Sequence, residues 1–203
     1  VRVVFWDDEI ESIEELDSEL LPIDIDLMLS KNEDIIRSLK QFTVKKIFDT
    51  YSKHKSKVDC FHVAFSGGKD SLVLLDLVKN SIPKNEFMVI FGDTGMEFPD
   101  TYKLVDQIES QCKSEGIAFY RAKSHLDVSE SWLTFGPPSS RLRWCCSVHK
   151  TAPQTLKIRE LLGKTDYVGM DFVGVRANES LKRSTYEYEN YGKKMRGQYS
   201  HNS

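Results

Sequence analysis

The chain contains no apolar run near the roughly 18 residues that a membrane-spanning helix needs, and its start does not read as a secretory signal. Cysteine is scarce, with four in 203 residues. Cys60, Cys112, Cys145 and Cys146 do not make the disulfide framework of a small secreted domain, and the adjacent pair would close a strained ring on itself. A reducing, cytoplasmic setting is therefore expected. Two common phosphate-binding patterns are missing as well. A Walker A loop needs Ser or Thr after Gly-Lys and a glycine five residues before the second one; here Asp70 follows Lys69, and Val63 stands where the distant glycine would be. The three spaced glycines of a dinucleotide fold are absent. There is no internal repeat and no low-complexity segment. Beginning at Val1 and ending in His-Asn-Ser, the chain reads as a C-terminally truncated fragment of a longer one.

What is present suits a globular domain with a small annex: 40% hydrophobic residues and a net charge of −3. The charge is uneven. Residues 1–34 carry twelve acidic and two basic side chains, so the remainder carries +7. A basic body points to an anionic ligand, and the acidic excess reads as a solvated face. Val1–Trp6 is apolar and β-branched, and Ile23, Ile25, Leu27 and Leu29 alternate within Pro22–Leu29. Both stretches read as strands, so residues 1–30 are expected to form a small β annex. Ser30–Glu33 has capping-box spacing, and Ile35, Ile36, Leu39, Phe42, Ile47, Phe48 and Tyr51 recur at helical intervals, giving a connecting helix over 31–56.

From residue 57 on, strand, glycine turn and helix recur. Strands are expected at Cys60–Phe65, Phe87–Phe91, Ile117–Ala122 and Asp171–Val175, and helices at Asp70–Asn80, Asp100–Glu115 and Pro153–Leu162. Continuous apolar strands alternating with helices imply an α/β fold, a parallel sheet with helices on both faces. In such sheets ligands bind beyond the carboxyl ends of the strands. Three unusual stretches fall there: Ser66–Ser71 (SGGKDS), Gly92–Asp100 (GDTGMEFPD) and Gly174–Arg183 (GVRANESLKR). A strand running into a glycine turn that opens a helix aims several N–H groups at one spot, at the positive end of the helix dipole. Ser66 and Ser71 add hydroxyls and Lys69 a mobile charge. The competing reading of the first stretch is an ordinary βα turn. Asp93 can accept from ribose hydroxyls, help hold a metal ion, or simply close its own turn. Arg176 and Arg183 can clamp phosphate or sulfate oxygens, or pair with Glu179 between them. Cys60, Cys112 and His62 read as core.

Taken in order, SGGKDS, GDTGMEFPDTY (Gly92–Tyr102), the cysteine-pair segment ending RWCCSVHKTAP (Arg143–Pro153) and GVRANESLKR resemble four motifs of the phosphoadenosine phosphosulfate (PAPS) reductase family. That family is related to the PP-loop ATP pyrophosphatases, with an adenine nucleotide alpha hydrolase-like, Rossmann-type fold. The likeness covers residues 60–183. It implies that Ser66, Gly67, Gly68, Lys69, Asp70 and Ser71 hold the phosphates of an adenine nucleotide, and that Asp93, Thr94 and Gly95 border its nucleoside. It also implies that Lys150, Arg176 and Arg183 meet its anionic groups, with Lys69 and Arg176 stabilising charge during the chemistry. His149 departs from the arginine typical of the sulfonucleotide reductases. Cys145 and Cys146 would supply half the ligands of a [4Fe-4S] cluster in the full-length protein; zinc with His149 is the other metal reading, and two small buried residues in a helix or turn beside Trp144 the reading without a metal.

The complete SGGKDS loop is like that of the ATP pyrophosphatases, for which the ligand would be ATP with Mg²⁺. The cysteine pair and arginine loop look more like the sulfonucleotide reductases, for which it would be PAPS or adenosine phosphosulfate. The expected function is sulfur-related nucleotide chemistry, by sulfonucleotide reduction or by ATP α–β cleavage with adenylation of a substrate. Its partners would be a protein reductant or a complex subunit. The alternative is a nucleotide-binding subunit, inactive alone, of a DNA or tRNA sulfur-modification complex or an ATP sulfurylase-like assembly. Lys193, Lys194 and Arg196 read as a solvated tail and leave nucleic-acid contact open.

Overall fold

The computed structural model describes residues 24–139 and 142–176. The chain divides into two units, residues 1–40 and 41–203. The strand expected at Val1–Trp6 lies outside the described residues, as do Glu179, Arg183 and the basic tail.

Helix α1 runs Ile25–His54. Its start corrects the strand expected over Pro22–Leu29, because residues 25–29 are helical. Asp24 accepts from the Leu27 backbone N–H at 2.9 Å, the bond of an N-cap. The every-second-residue pattern also passes over Met28, which with Ile25, Leu29, Ile35, Ile36 and Leu39 completes helical spacing. Ser30 caps nothing, since its hydroxyl donates back to the Leu27 carbonyl within the helix.

In the second unit, strands β1 (Cys60–Phe65), β2 (Met88–Asp93), β3 (Ala118–Lys123) and β4 (Gly169–Phe172) form one parallel sheet in the order β3-β2-β1-β4. Helices α2 (Lys69–Lys79) and α3 (Pro99–Ser114) connect the first three strands. The return from β3 to β4 passes through α4 (Val128–Phe135), α5 (Trp144–Cys146), a wide π-helical turn at Ser147–Thr151 and α6 (Ala152–Leu162). β4 begins two residues before the expected Asp171, because its register follows β1: Cys60 pairs with Gly169 and Val63 with Phe172.

Side chains alternate across the sheet, and each face is covered. Phe61, Val63, Phe65, Val89 and Phe91 pack with Ile47 and Tyr51 of α1, Leu75 and Val78 of α2, and Val105 and Cys112 of α3. Cys60, Ile90 and Ala122 pack on the other face with Ile158 of α6. The molecule is thus an α/β fold with helices on both sides of a parallel sheet, as the alternating pattern implied. Among the described residues, no helix is long and apolar enough to cross a membrane.

His62, buried within β1, has its Nε2 3.1 Å from Asp171 Oδ1 of β4. Burial pushes its pKa down from the ordinary 6.5, with the Asp171 carboxylate opposing. The unfolded chain therefore takes up a proton before the folded one, and stability is lost as pH falls through 6.5. Denaturant titrations at pH about 7.5 and about 5.5 should show this loss, and replacing His62 by glutamine should shrink it. An equal loss in the variant would assign the pH dependence to other groups.

Candidate active site at the carboxyl edge

The strand order reverses between β1 and β4, so the crevice of a doubly wound sheet opens at their carboxyl ends. β1 ends at Phe65, and Ser66–Gly68 turn directly into α2. Gly67 sits at φ +73°, in the left-handed region, and a Cβ there would lie 2.8 Å from Thr101 Cγ2 of α3. Only glycine fits both the conformation and the space. The turn is tied from within: Ser71 Oγ donates to the Gly68 carbonyl at 2.8 Å and accepts from the Ser66 backbone N–H at 3.3 Å. Ser71 is buried, so its hydroxyl shapes the loop, whereas Ser66, Gly68 and Lys69 are exposed. Helix α2 has no side-chain cap at Gly68. Its first N–H groups and the dipole's positive end lie, among the described residues, beside the exposed Ser66, Gly68 and Lys69, an arrangement that can receive an anion.

The segment after β4 closes on this loop. Arg176 Nε donates to Asp70 Oδ2 at 3.1 Å, an ion pair across 106 residues of sequence. A Cβ on Gly174 would lie 2.9 Å from the Asp70 carbonyl oxygen, so glycine lets the β4 segment lie against the start of α2. Asp70 thus anchors an arginine at the mouth. Arg183 lies outside the described residues.

Beyond β2, Asp93 Oδ1 accepts from the Gly95 backbone N–H at 2.9 Å and from the Tyr102 hydroxyl at 2.7 Å. Thr94 Oγ1 donates to Glu97 at 3.0 Å and accepts from the Met96 N–H at 3.2 Å. The turn reading of Asp93 is therefore realised through one of its oxygens. Lys150, in the π-helical turn, is exposed; its Cγ would lie 3.3 Å from a Cβ on buried Gly92, which puts it at the same edge as Asp93. Gln154 packs over Gly92 from the next turn. Sequence reasoning assigned no role to Tyr102, Thr101, Gly174 or Gln154. Thr101, Tyr102 and Gly174 do lie within the motif stretches quoted above, the first two in the opening turn of α3.

Thr151 Oγ1 donates to the Cys146 carbonyl at 2.9 Å. Burial and the neighbouring Cys146 push the Cys145 thiol above its ordinary pKa. His149 is 1% exposed, lies edge-on to Trp144 and bonds through Nε2 to Ser131 Oγ at 2.9 Å. Ser131 Oγ also lies 3.0 Å from the Asp127 carbonyl. This corrects the zinc reading: His149 is a core residue bonded to α4. Among the described residues, no three His, Cys, Asp or Glu side chains group to hold a metal. Two thiolates are half of what a cubane or a tetrahedral zinc takes, so these residues by themselves complete neither site. Cys60 and Cys112 are buried, and burial pushes the Cys60 thiol up to about 11.

Residues 61–201 match the phosphoadenosine phosphosulfate reductase domain. The chain is 38% identical over 160 residues to an uncharacterized protein of Methanocaldococcus jannaschii, covering 79% of this chain and 31% of the relative. It is 31% identical over 134 residues to adenosine 5′-phosphosulfate reductase 2 of Bacillus subtilis, covering 65% of this chain and 52% of the relative. A crystal structure of PAPS reductase from Candida auris, a phosphate complex, is 20% identical with a TM-score of 0.43, covering 64% of this chain and 61% of that one. The chain spans about a third to a half of the length of these curated relatives.

Proposed function

The chain belongs to the phosphoadenosine phosphosulfate reductase domain family, and we propose that it binds a sulfonucleotide of the adenosine 5′-phosphosulfate class at the carboxyl edge of its sheet. The observation that carries this reading is the uncapped start of α2 at a left-handed glycine turn, with Arg176 held beside it by Asp70. In the proposed complex the Gly67–Lys69 backbone and the Lys69 ammonium take the anionic oxygens of the phosphosulfate. Arg176, presented by Asp70, takes the outer ones. Asp93, Thr94 and Gly95 border the nucleoside, and Lys150 adds positive charge at the same edge. Oriented donors of this kind stabilise charge that develops when the sulfur–oxygen bond breaks. The reductive step needs an activated thiolate. Cys60 and Cys112, buried and with raised pKa values, suit packing better than attack. The reductant is proposed to be a thiol partner, in a reducing compartment that keeps the four cysteines free.

Calorimetric titration with adenosine 5′-phosphosulfate, PAPS and ATP with Mg²⁺ tests the ligand class. Preference for a sulfonucleotide is expected; preference for ATP would overturn the reading and point to adenylation chemistry. Lys69 is exposed, so its replacement by alanine should leave the melting temperature unchanged while weakening sulfonucleotide binding roughly tenfold. Unchanged affinity would remove Lys69 from the site.

A further inference from the structure

We infer that Tyr102 is a positioning residue that ties down one oxygen of Asp93, so that the other accepts from the ribose hydroxyls of the bound nucleotide. The inference rests on the nucleotide reading above and adds to it how the site grips the sugar.

Tyr102 lies in the first turn of α3, which begins at Pro99. Its hydroxyl reaches back nine residues to Asp93 Oδ1, the same atom that the Gly95 N–H bonds. Oδ1 thus has two donors, whereas among the described residues no hydrogen bond is made to Oδ2. A carboxylate has about four acceptor directions, and here those on one oxygen are used while Asp93 stays only half-buried at the strand end. The tyrosine is itself held: its ring meets Phe91 of β2 edge-on, centroids 6.4 Å apart. Its hydroxyl is pushed up to about 12 by burial and by Asp93, so it remains a donor throughout the neutral range. The adjacent Thr101 packs over Gly67 of the phosphate loop. One helical turn therefore sets both loops, and the distance between the anion end and the sugar end of the site is fixed by α3.

The test compares adenosine 5′-phosphosulfate with its 2′,3′-dideoxy analogue on the full protein, using Tyr102→Phe and Asp93→Asn. Losing a hydrogen bond to a charged group should weaken the parent nucleotide roughly tenfold in Tyr102→Phe. The dideoxy analogue should bind this variant and the wild type equally. Asp93→Asn should erase the preference for the parent nucleotide, and adding Tyr102→Phe to it should cost nothing more. Equal binding of the parent by wild type and Tyr102→Phe overturns the inference. So does the same loss on both ligands, which would mean that the phenol only supports the loop. A wild-type protein that binds neither ligand overturns the nucleotide reading itself, and this inference with it.

Discussion

Gly67→Val is expected to abolish sulfonucleotide binding, with an affinity loss of at least about 100-fold. Two separate penalties meet at this position. The backbone sits at φ +73°, where a β-branched residue is strained, and the new Cβ would lie 2.8 Å from Thr101 Cγ2. Thr101 projects from a helix and is itself stiff about χ1, so it cannot rotate aside freely. The loop must move, and with it the N–H groups that face the ligand. Circular dichroism should still report a folded domain, because the strand and helix on either side keep their own cores. The two penalties separate experimentally. Gly67→Ala in a Thr101→Ser background removes the methyl contact, so it should recover part of the affinity lost by Gly67→Ala alone; the rest belongs to the positive φ. Wild-type affinity in Gly67→Val would show that the turn does not touch the nucleotide.

Phe65→Ala should cost about 3–5 kcal/mol of stability, a large effect for a single core truncation. Phe65 is 2% exposed and sits at the end of β1, edge-on to Phe119 with centroids 5.9 Å apart. Its removal leaves a cavity in the cluster that holds Val89 and Phe91 of β2, Phe119 of β3 and Val105 of α3, at the point where Phe65 pairs with Phe91. A loss of that size is a large share of the roughly 5–15 kcal/mol that a domain has in total. It also undermines the seat of Ser66, the next residue, so nucleotide affinity should fall along with the denaturation midpoint. A stability loss under about 1 kcal/mol would mean that the sheet relaxes into the space.

The sequence carried the repeating units of this fold clearly. Val89 and Ile90 lie in an unbroken apolar run and Val63 in one interrupted only by His62, and the structure buries each completely. Leu75 and Val78 recur at helical spacing and face the core. The stretch Val128–Phe135 shows no helical period, because eight residues with serines at 129 and 131 give too few turns for one. Its decisive signal is Asp127, whose side chain caps the Ser129 and Glu130 N–H groups. Over Pro22–Leu29 the alternating pattern misleads, because Asp24 caps a helix that starts inside it.

By itself the sequence determined the alternation of strands and helices, the glycine turn after β1 and the chemical character of the loops, because those follow from local spacing and residue type. Only the tertiary structure decided which strand lies beside β1. That choice turned Arg176 and Asp70, 106 residues apart, into an ion pair at the mouth of the site. It set the start of β4 at Gly169, which no propensity would nominate. It also brought Tyr102 to Asp93 and gave His149 to Ser131 instead of the cysteines. Strand order and side-chain partners are long-range choices, settled by which faces can be buried together and which polar groups must be paired once buried. Local sequence windows contain neither kind of information.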